Sequence, residues 1–492
     1  MEEYFAKFRK NIIGINHKVS TPYHEAIKIV YADWTASGRL YQPIEDTLQS
    51  KIYPLIGNTH TETTATGQAM TYAYNEARNI IKAHVGASSN DVLISAGSGM
   101  TGAVNKLQRI LGLRVHESFH NSLTENERPI IFISHMEHHS NHTSWLETIA
   151  DVEIVAPDTN GLVSVDNFEK ALDKHQDRKR KIVAITACSN VTGITTPFMD
   201  IAAVAHRAGA LCFVDFACSG PYVAINMHED DKAGRYLDAI YFSPHKFLGG
   251  PGSSGILVFN KNLYHNNVPD NPGGGTVDWT NPWGEHKYSD NIEIREDGGT
   301  PPILQTIRAA MSIQLKETMG VENISPREEE IVEMVWSHLD DIPNMHVLAG
   351  NIKKRLPVVS FYIDGLHHNL GVKILNDRFG IQTRGGCSCA GTYGHYLLHI
   401  DKEHSHSITD QINLGDNTNK PGWIRMSFHP TQSNEEIVFI LKAIQQLASN
   451  FEAWSKDYSC NLAAGSIKCI KDDNTQRLEF EIKEILHQSF TH

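Results

Sequence analysis

With 492 residues, 40% of them hydrophobic and 21% charged, the chain has the make-up of a globular protein long enough for two domains. Its net charge of -13 argues against nucleic acid or an anionic membrane as a general partner. No apolar run reaches the ~18 residues of a membrane span, and Met1-Glu-Glu-Tyr-Phe-Ala-Lys lacks the basic-then-apolar order of a secretion signal, so a cytoplasmic location is expected.

Residues 1–18 read as a helical arm, 29–34 as a short strand and 41–53 as a helix. The polar stretch 57–67 reads as a loop, suited equally to a surface connection or to the wall of a site. Helical spacing over 69–85 and a strand over 92–96 lead to Gly97-Ser-Gly-Met-Thr-Gly, a literal G-x-G-x-x-G. It sits about a hundred residues into the chain, and no acid ends the next apolar strand, 130–134, so a dinucleotide fingerprint is a poor reading. Small residues at a helix start do suit a phosphate, with backbone N–H groups and the hydroxyls of Ser98 and Thr101 as donors.

Next comes His135-Met-Glu-His-His-Ser-Asn-His, four histidines in eight residues. Spacing alone does not supply the convergent geometry of a metal site, and no metal is assigned; an imidazole at a strand end is better placed to stack on a flat cofactor. A strand over 181–187 runs into Cys-Ser-Asn-Val-Thr-Gly, and a helix over 200–208 leads to the apolar run that ends in Asp215. A second such run precedes Lys246, in Ser-Pro-His-Lys-Phe-Leu-Gly-Gly. Alternation of apolar runs with helices from 90 to 260 marks an α/β protein with a mostly parallel sheet covered on both faces, whose ligands sit at the carboxyl ends of the strands. An amine among apolar and small residues has its pKa lowered and becomes a nucleophile fit for a Schiff base. An acid nearby is what pyridoxal phosphate (PLP) needs to keep its ring nitrogen protonated, so Lys246 and Asp215 fit those two roles.

Residues 265–288, rich in Pro, Gly, Asn and Trp, read as a long loop at a rim or subunit contact. Gly298-Gly-Thr-Pro-Pro then opens a long helix reaching Met319. Helices over 327–339, 370–379 and 435–448 and strands over 345–348 and 358–363 suit a smaller α+β domain. The expected divisions are an arm (1–27), a large domain (28–300), a small domain (301–454) and an appended element (455–492) that includes the alternating run Leu478-Glu-Phe-Glu-Ile. Seven cysteines, an odd number, make no disulfide framework. Two of them share the turn Thr383-Arg-Gly-Gly-Cys-Ser-Cys-Ala-Gly, where a reactive thiolate and simple packing are both open. Arg425, on the strand Trp423-Ile-Arg-Met-Ser, suits a carboxylate ligand or a structural salt bridge.

Glu-His-His-Ser-Asn, Ser-Asn-Val-Thr-Gly, Asp-Phe-Ala, Ser-Pro-His-Lys, Gly-Gly-Thr-Pro and Arg-Gly-Gly-Cys-Ser-Cys-Ala, in this order, resemble the class V aminotransferase fold, closest to its cysteine desulfurase and selenocysteine lyase branch. The resemblance, over roughly residues 28 to 450, implies a PLP enzyme of fold type I with a seven-stranded sheet and a homodimer. It implies that Lys246 holds PLP as a Schiff base and shuttles the substrate's Cα proton, Asp215 pairs with the ring nitrogen, His138 stacks on the ring, and Asn190, with Cys218 nearby, meets its O3 oxygen. Ser98, Gly99, Thr101, Ser243 and His245 would hold the phosphate, joined by Thr300 of a second subunit. Arg425 would bind the carboxylate of a small amino acid. Cys389, rather than Cys387, would take its sulfur as a persulfide for an acceptor protein. Cys218 stands where the family has Gln or His, Gly99 where threonine is common, and a polar insertion follows Cys389. Relatives on this scaffold also transaminate, epimerise or cleave C–S bonds, and the class-distant alternative is a thiol or metal-binding scaffold without catalysis.

Overall fold

The computed structural model describes residues 1–59, 61–119, 123–124, 127–340, 342–463, 465–471 and 482–487. They form two compact units, one of residues 11–13 and 35–327, the other of residues 1–10, 14–34 and 328 onward.

The larger unit is built on seven strands: β1 (Asp91–Ala96), β2 (Ile130–Ser134), β3 (Asp151–Val155), β4 (Lys181–Thr186), β5 (Leu211–Asp215), β6 (Ala239–Phe242) and β7 (Gly255–Asn260). They lie in the order β1-β7-β6-β5-β4-β2-β3. The run from β6 to β3 is parallel, and β7 is antiparallel to both its neighbours. Every residue of β2 and β6 is buried, as strands covered on both faces must be. Helices α1 (Met100–Ile110) and α2 (His139–Leu146) cover one face, where Val104, Leu107 and Trp145 pack on Ile131, Ala184, Phe213 and Leu257. The expected mostly parallel α/β sheet is thus present.

β3 and the helix Val165–Lys174 were not expected. β3 is an edge strand whose first four residues are not fully buried, so it carries Asp151 and Glu153 instead of an apolar run. The stretch read as one loop, 265–288, contains a hairpin of Val277–Thr280 with His286–Tyr288. None of its strand residues is buried, so no alternation betrays it; its turn is closed by Asn281 Oδ1, which accepts from the N–H groups of Trp283 and Glu285.

In the smaller unit β8 (Met345–Val347), β9 (Val358–Ile363), β10 (Arg384–Gly386) and β11 (Trp423–Ser427) form an antiparallel sheet in the order β8-β9-β11-β10. Helices α3 (His368–Phe379) and α4 (Asn434–Trp454) pack on it through Ile374, Ile437, Ile440, Leu441 and Ile444, against Val359, Phe361, Ile424 and Met426. Ser433 caps α4 by accepting from the Glu436 N–H, the sequence pattern of a capping box. The polar insertion after Cys389 folds as two helices, Gly391–Leu397 and Lys402–Asn413; only Ile408 of the second is buried, which is why it reads as polar. Within the appended element, Tyr458–Asn461 pairs with Ser466–Cys469, and Tyr458 and Cys469 enter the small core. Residues 478–481 of the alternating run lie outside the described residues.

The unit boundaries differ from the sequence expectation at both ends. Residues 1–10 and 14–34 belong with the smaller unit, and 301–327 with the larger, where the helix Ile303–Met319 packs along Ala65–His84. Among the described residues no helix is long and apolar enough to cross a membrane.

Candidate active site

Asp215 is the last residue of β5, and Lys246 lies in the tight turn Pro244–Lys246 just past β6. The two strands are parallel neighbours with Tyr241 of β6 in register with Asp215, so acid and amine emerge from the same edge of the sheet. Asp215 is 3% exposed, and one carboxylate oxygen accepts the Ala217 N–H at 2.8 Å. Burial raises its pKa to about 6, against the pull of that N–H and of the Lys246 ammonium. His245 is pushed down to about 4, first by burial and then by Lys246 beside it. The lysine turn is clamped by backbone contacts. The Gly38 N–H donates to the His245 carbonyl at 2.9 Å, and a Cβ on Gly38 would stand 2.0 Å from the Phe247 oxygen, so only glycine fits.

Behind the lysine turn, β7 brings a second loop alongside. The Gly255 N–H donates to the Gly97 carbonyl, and the Met100 N–H, at the start of α1, donates to Ser243 Oγ at 2.8 Å. A Cβ on Gly99 would lie 3.0 Å from Ser243 Oγ and 3.4 Å from His245 Nε2. Those short distances mark the point on which Gly99, Ser243 and His245 converge. Thr101 is engaged elsewhere, sharing a 2.7 Å hydrogen bond with Ser140 Oγ. An open cavity of ≈ 1180 Å³ borders this point, with Ser98, His245, Ser253, Ser254 and Thr300 on its wall. The buried Ser253 Oγ has no hydrogen-bond partner among the described residues. Thr300, expected from a second subunit, lies on the wall of this chain's own cavity, whereas Lys246, Asp215 and His138 do not line it.

A helix start, an orphaned hydroxyl and the close approach of Gly99 to Ser243 and His245 suit an anionic phosphate. A buried acid one strand from an amine suits a protonated ring nitrogen and an aldehyde. These residues fit PLP.

His138 caps α2: its Nδ1 accepts the Ser140 N–H at 3.1 Å, which places the proton of the neutral ring on Nε2 and fixes the ring's direction. Asn190 is buried, and Cys218 Sγ donates to the carbonyl of the adjacent Ser189 at 3.6 Å, so the structure brings these two positions together. The other histidines of the cluster diverge: His135 bonds the Gly161 carbonyl, and among the described residues no group of three or more His, Cys, Asp or Glu side chains could hold a metal ion.

Sequence reasoning missed Glu137. Its carboxyl is buried beneath the sheet edge, joined to Ser134 Oγ, to Asn141 Nδ2 at 2.7 Å and to the Thr186 N–H at 3.0 Å. Asn141 Oδ1 in turn accepts from Tyr241 and Trp145. Thr186 and Tyr241 are the two residues in register with Asp215, so this network holds the strands on either side of it. Burial pushes Glu137 up to about 8, with the Asp215 charge acting in the same direction. An acid four residues ahead of Asn141 at a strand-to-helix junction was the signal available in the sequence.

In the smaller unit, Cys387 and Cys389 are both half-buried and flank Ser388, which is 5% exposed and accepts from Trp423 Nε1 at 3.2 Å. The Ala390 N–H donates to the Cys387 carbonyl at 3.0 Å, closing a turn in which Ser388 and Cys389 have φ of 51° and 57°. Non-glycine residues in that region cost about 1–2 kcal/mol each. Arg425 is 2% exposed and donates to Asp33 Oδ1 at 2.6 Å, so this guanidinium already has a carboxylate partner.

The aminotransferase class-V family model matches residues 30–439. The chain belongs to this family. A probable cysteine desulfurase of Halalkalibacterium halodurans is 29% identical over 370 residues, covering 74% of this chain and 84% of the relative. A cysteine desulfurase of Haloferax volcanii is 24% identical over 413 residues, 80% of this chain and 92% of that one. Among solved structures, the apo cysteine desulfurase of Thermococcus onnurineus superposes with a TM-score of 0.71 at 25% identity, covering 90% of this chain and 98% of that chain. The Escherichia coli cysteine desulfurase CsdA, at 21% identity and a TM-score of 0.69, shares the fold.

Proposed function

We propose that this class-V family member is a PLP-dependent cysteine desulfurase-like enzyme that takes sulfur from L-cysteine, or selenium from selenocysteine, onto Cys389 and releases alanine. The observation that carries the reading is the buried Asp215 set one strand from Lys246 beside the Gly99–Ser243–His245 cradle. PLP, when bound, supplies an electron sink for bonds at the substrate's Cα. Lys246 Nζ anchors the cofactor and carries the Cα proton. Asp215, at the strand end, would keep the ring nitrogen protonated; His138, its direction set by the Ser140 N–H, would stack on the ring, and Asn190 with Cys218 would meet O3. The α1 start with Ser98, Gly99, Ser243 and His245 would hold the phosphate, joined by Thr300 of the second subunit. Arg425, oriented by Asp33, receives the substrate carboxylate. Cys389 Sγ attacks the substrate sulfur: the Cβ–S bond breaks, an Sγ–S bond forms, and cysteine plus one enzyme thiol becomes alanine plus one enzyme persulfide. A thiolate is required for that attack.

The proposal extends to a cytoplasmic homodimer that hands sulfur to an acceptor protein. Purified protein supplied with PLP should show a borohydride-reducible adduct at Lys246 and form alanine and bound persulfide from L-cysteine. Keto acid or sulfide from another amino acid, with no persulfide on the protein, would instead make it a transaminase or C–S lyase of the same family.

A further inference from the structure

The turn that holds Cys389 holds a second thiol for which the reaction above has no use. We propose that Cys387 takes the outer sulfur from the Cys389 persulfide, so that the Cys-Ser-Cys turn is a two-thiol relay with Cys387 as the outgoing carrier; this rests on the desulfurase reading of Cys389.

Three observations carry it. Cys387 and Cys389 are two residues apart in a closed turn, its ends joined by the 3.0 Å bond from the Ala390 N–H to the Cys387 carbonyl. Two trans peptide steps put their Cα atoms no more than about 7.6 Å apart, and a turn brings them closer. Ser388 between them is buried and tied to Trp423 Nε1, while Cys387 and Cys389 on either side are only partly buried. Cys188, Cys212, Cys218 and Cys469 are buried, so Cys387 is the thiol that combines access with nearness to Cys389 in sequence. Finally, Ser388 and Cys389 hold left-handed backbone angles uncommon outside glycine, set within the turn that the Ala390–Cys387 bond closes.

The chemistry balances without an added oxidant or reductant. Cys387 Sγ, as thiolate, attacks the outer sulfur of Cys389–S–SH; a Cys387 Sγ–S bond forms, the S–Sγ bond to Cys389 breaks, and Cys389 leaves as thiolate. The proton stays on the sulfur that moves. Cys389 is then restored for a second substrate while the first sulfur waits on Cys387. Attack on the inner sulfur would close a disulfide across three residues and expel hydrosulfide, a bridge whose geometry is poor.

The test uses the full-length, PLP-loaded enzyme with L-cysteine and no acceptor, quenched with iodoacetamide, with fragmentation of the peptide after Arg384 to place the persulfide. Under limiting L-cysteine, wild type should carry roughly one-tenth to nine-tenths of its persulfide on Cys387, because exchange between similar thiols lies near unity. Under excess L-cysteine its alanine burst should approach about two per chain, against about one for Cys387→Ser or Cys387→Ala, whose persulfide is confined to Cys389. Cys389→Ser should carry none on either position. Persulfide on Cys387 in Cys389→Ser, persulfide only on Cys389 in wild type with a burst of about one, or a Cys387–Cys389 disulfide with free sulfide would each overturn the relay. Absence of alanine from every form would overturn the desulfurase reading beneath it, and is told apart by the missing product.

Discussion

Asp215 and Cys389 are held in opposite ways. Asp215 closes a strand buried on both faces, its two register partners are fixed by the Glu137–Asn141–Tyr241 network, and its carboxylate has a backbone donor. Cys389 sits half-exposed in a turn whose own backbone angles work against it, tied down through its neighbour's bond to Trp423. The first arrangement suits a charge that must stay in one place; the second suits an atom that must meet partners and let them go. In the larger unit precision comes from buried hydrogen bonds, in the smaller from a strained turn on a rigid sheet edge.

The largest test of that contrast removes the two side chains proposed to react, Lys246 and Cys389. Lys246→Ala should abolish the borohydride-reducible adduct and cut alanine formation by roughly 10²–10⁴-fold or more. Cys389→Ala should leave the cofactor absorbance in place and remove the persulfide. If both variants lost the cofactor, the separation of roles between the units would fail.

Next in size is the buried network. Glu137→Ala leaves Asn141 Nδ2 with only the Ala184 carbonyl and strands the Thr186 N–H, a buried donor worth about 1–3 kcal/mol, so its denaturation midpoint should fall by several degrees even without PLP. Glu137→Gln tests the charge alone. Burial holds the Glu137 pKa at about 8, above the unfolded value near ~4.3, so the protonated form's stabilisation is complete below the lower value and is lost as pH rises through the higher. Denaturant titrations from pH 5 to pH 9 should therefore show the Gln variant gaining on wild type as pH rises; a constant difference would mean the group is already charged in the folded protein.

The smallest effect concerns the turn. Trp423→Phe removes one hydrogen bond to Ser388, worth about 0.5–1.5 kcal/mol, with little change in global stability. If the turn is a fixed frame, the same variant should label faster at Cys387 and Cys389 with a thiol probe, while the Lys246 adduct is unchanged.

The strands that end in Asp215 and precede Lys246 were legible in sequence because burial on both faces demands unbroken apolar runs. β3 was not, since an edge strand carries Asp151 and Glu153, nor was the hairpin at 277–288, which has no buried face. In the candidate site, the places of Asp215 at a strand end and Lys246 just past one were readable from the runs before them. Those whose direction depends on a distant partner were not: Thr101 turns to Ser140 on another helix, and Arg425 meets Asp33, 392 positions away. Glu137 was passed over because an acid beside four histidines draws attention to the histidines.

The reversed strand β7 has a consequence for the order in which this protein comes into being. It slots between β1 and β6, pairing Gly255 with Ala96, so the loop at 97–99 meets the turn at 243–246 only after residue 260 has been made. Such distant pairing is slow and leaves strand edges open during synthesis. A ribosome-bound fragment ending before β7 should therefore bury its parallel strands yet lack the cradle proposed for the vitamin's phosphate, which on that reading makes cofactor capture a late event in biogenesis.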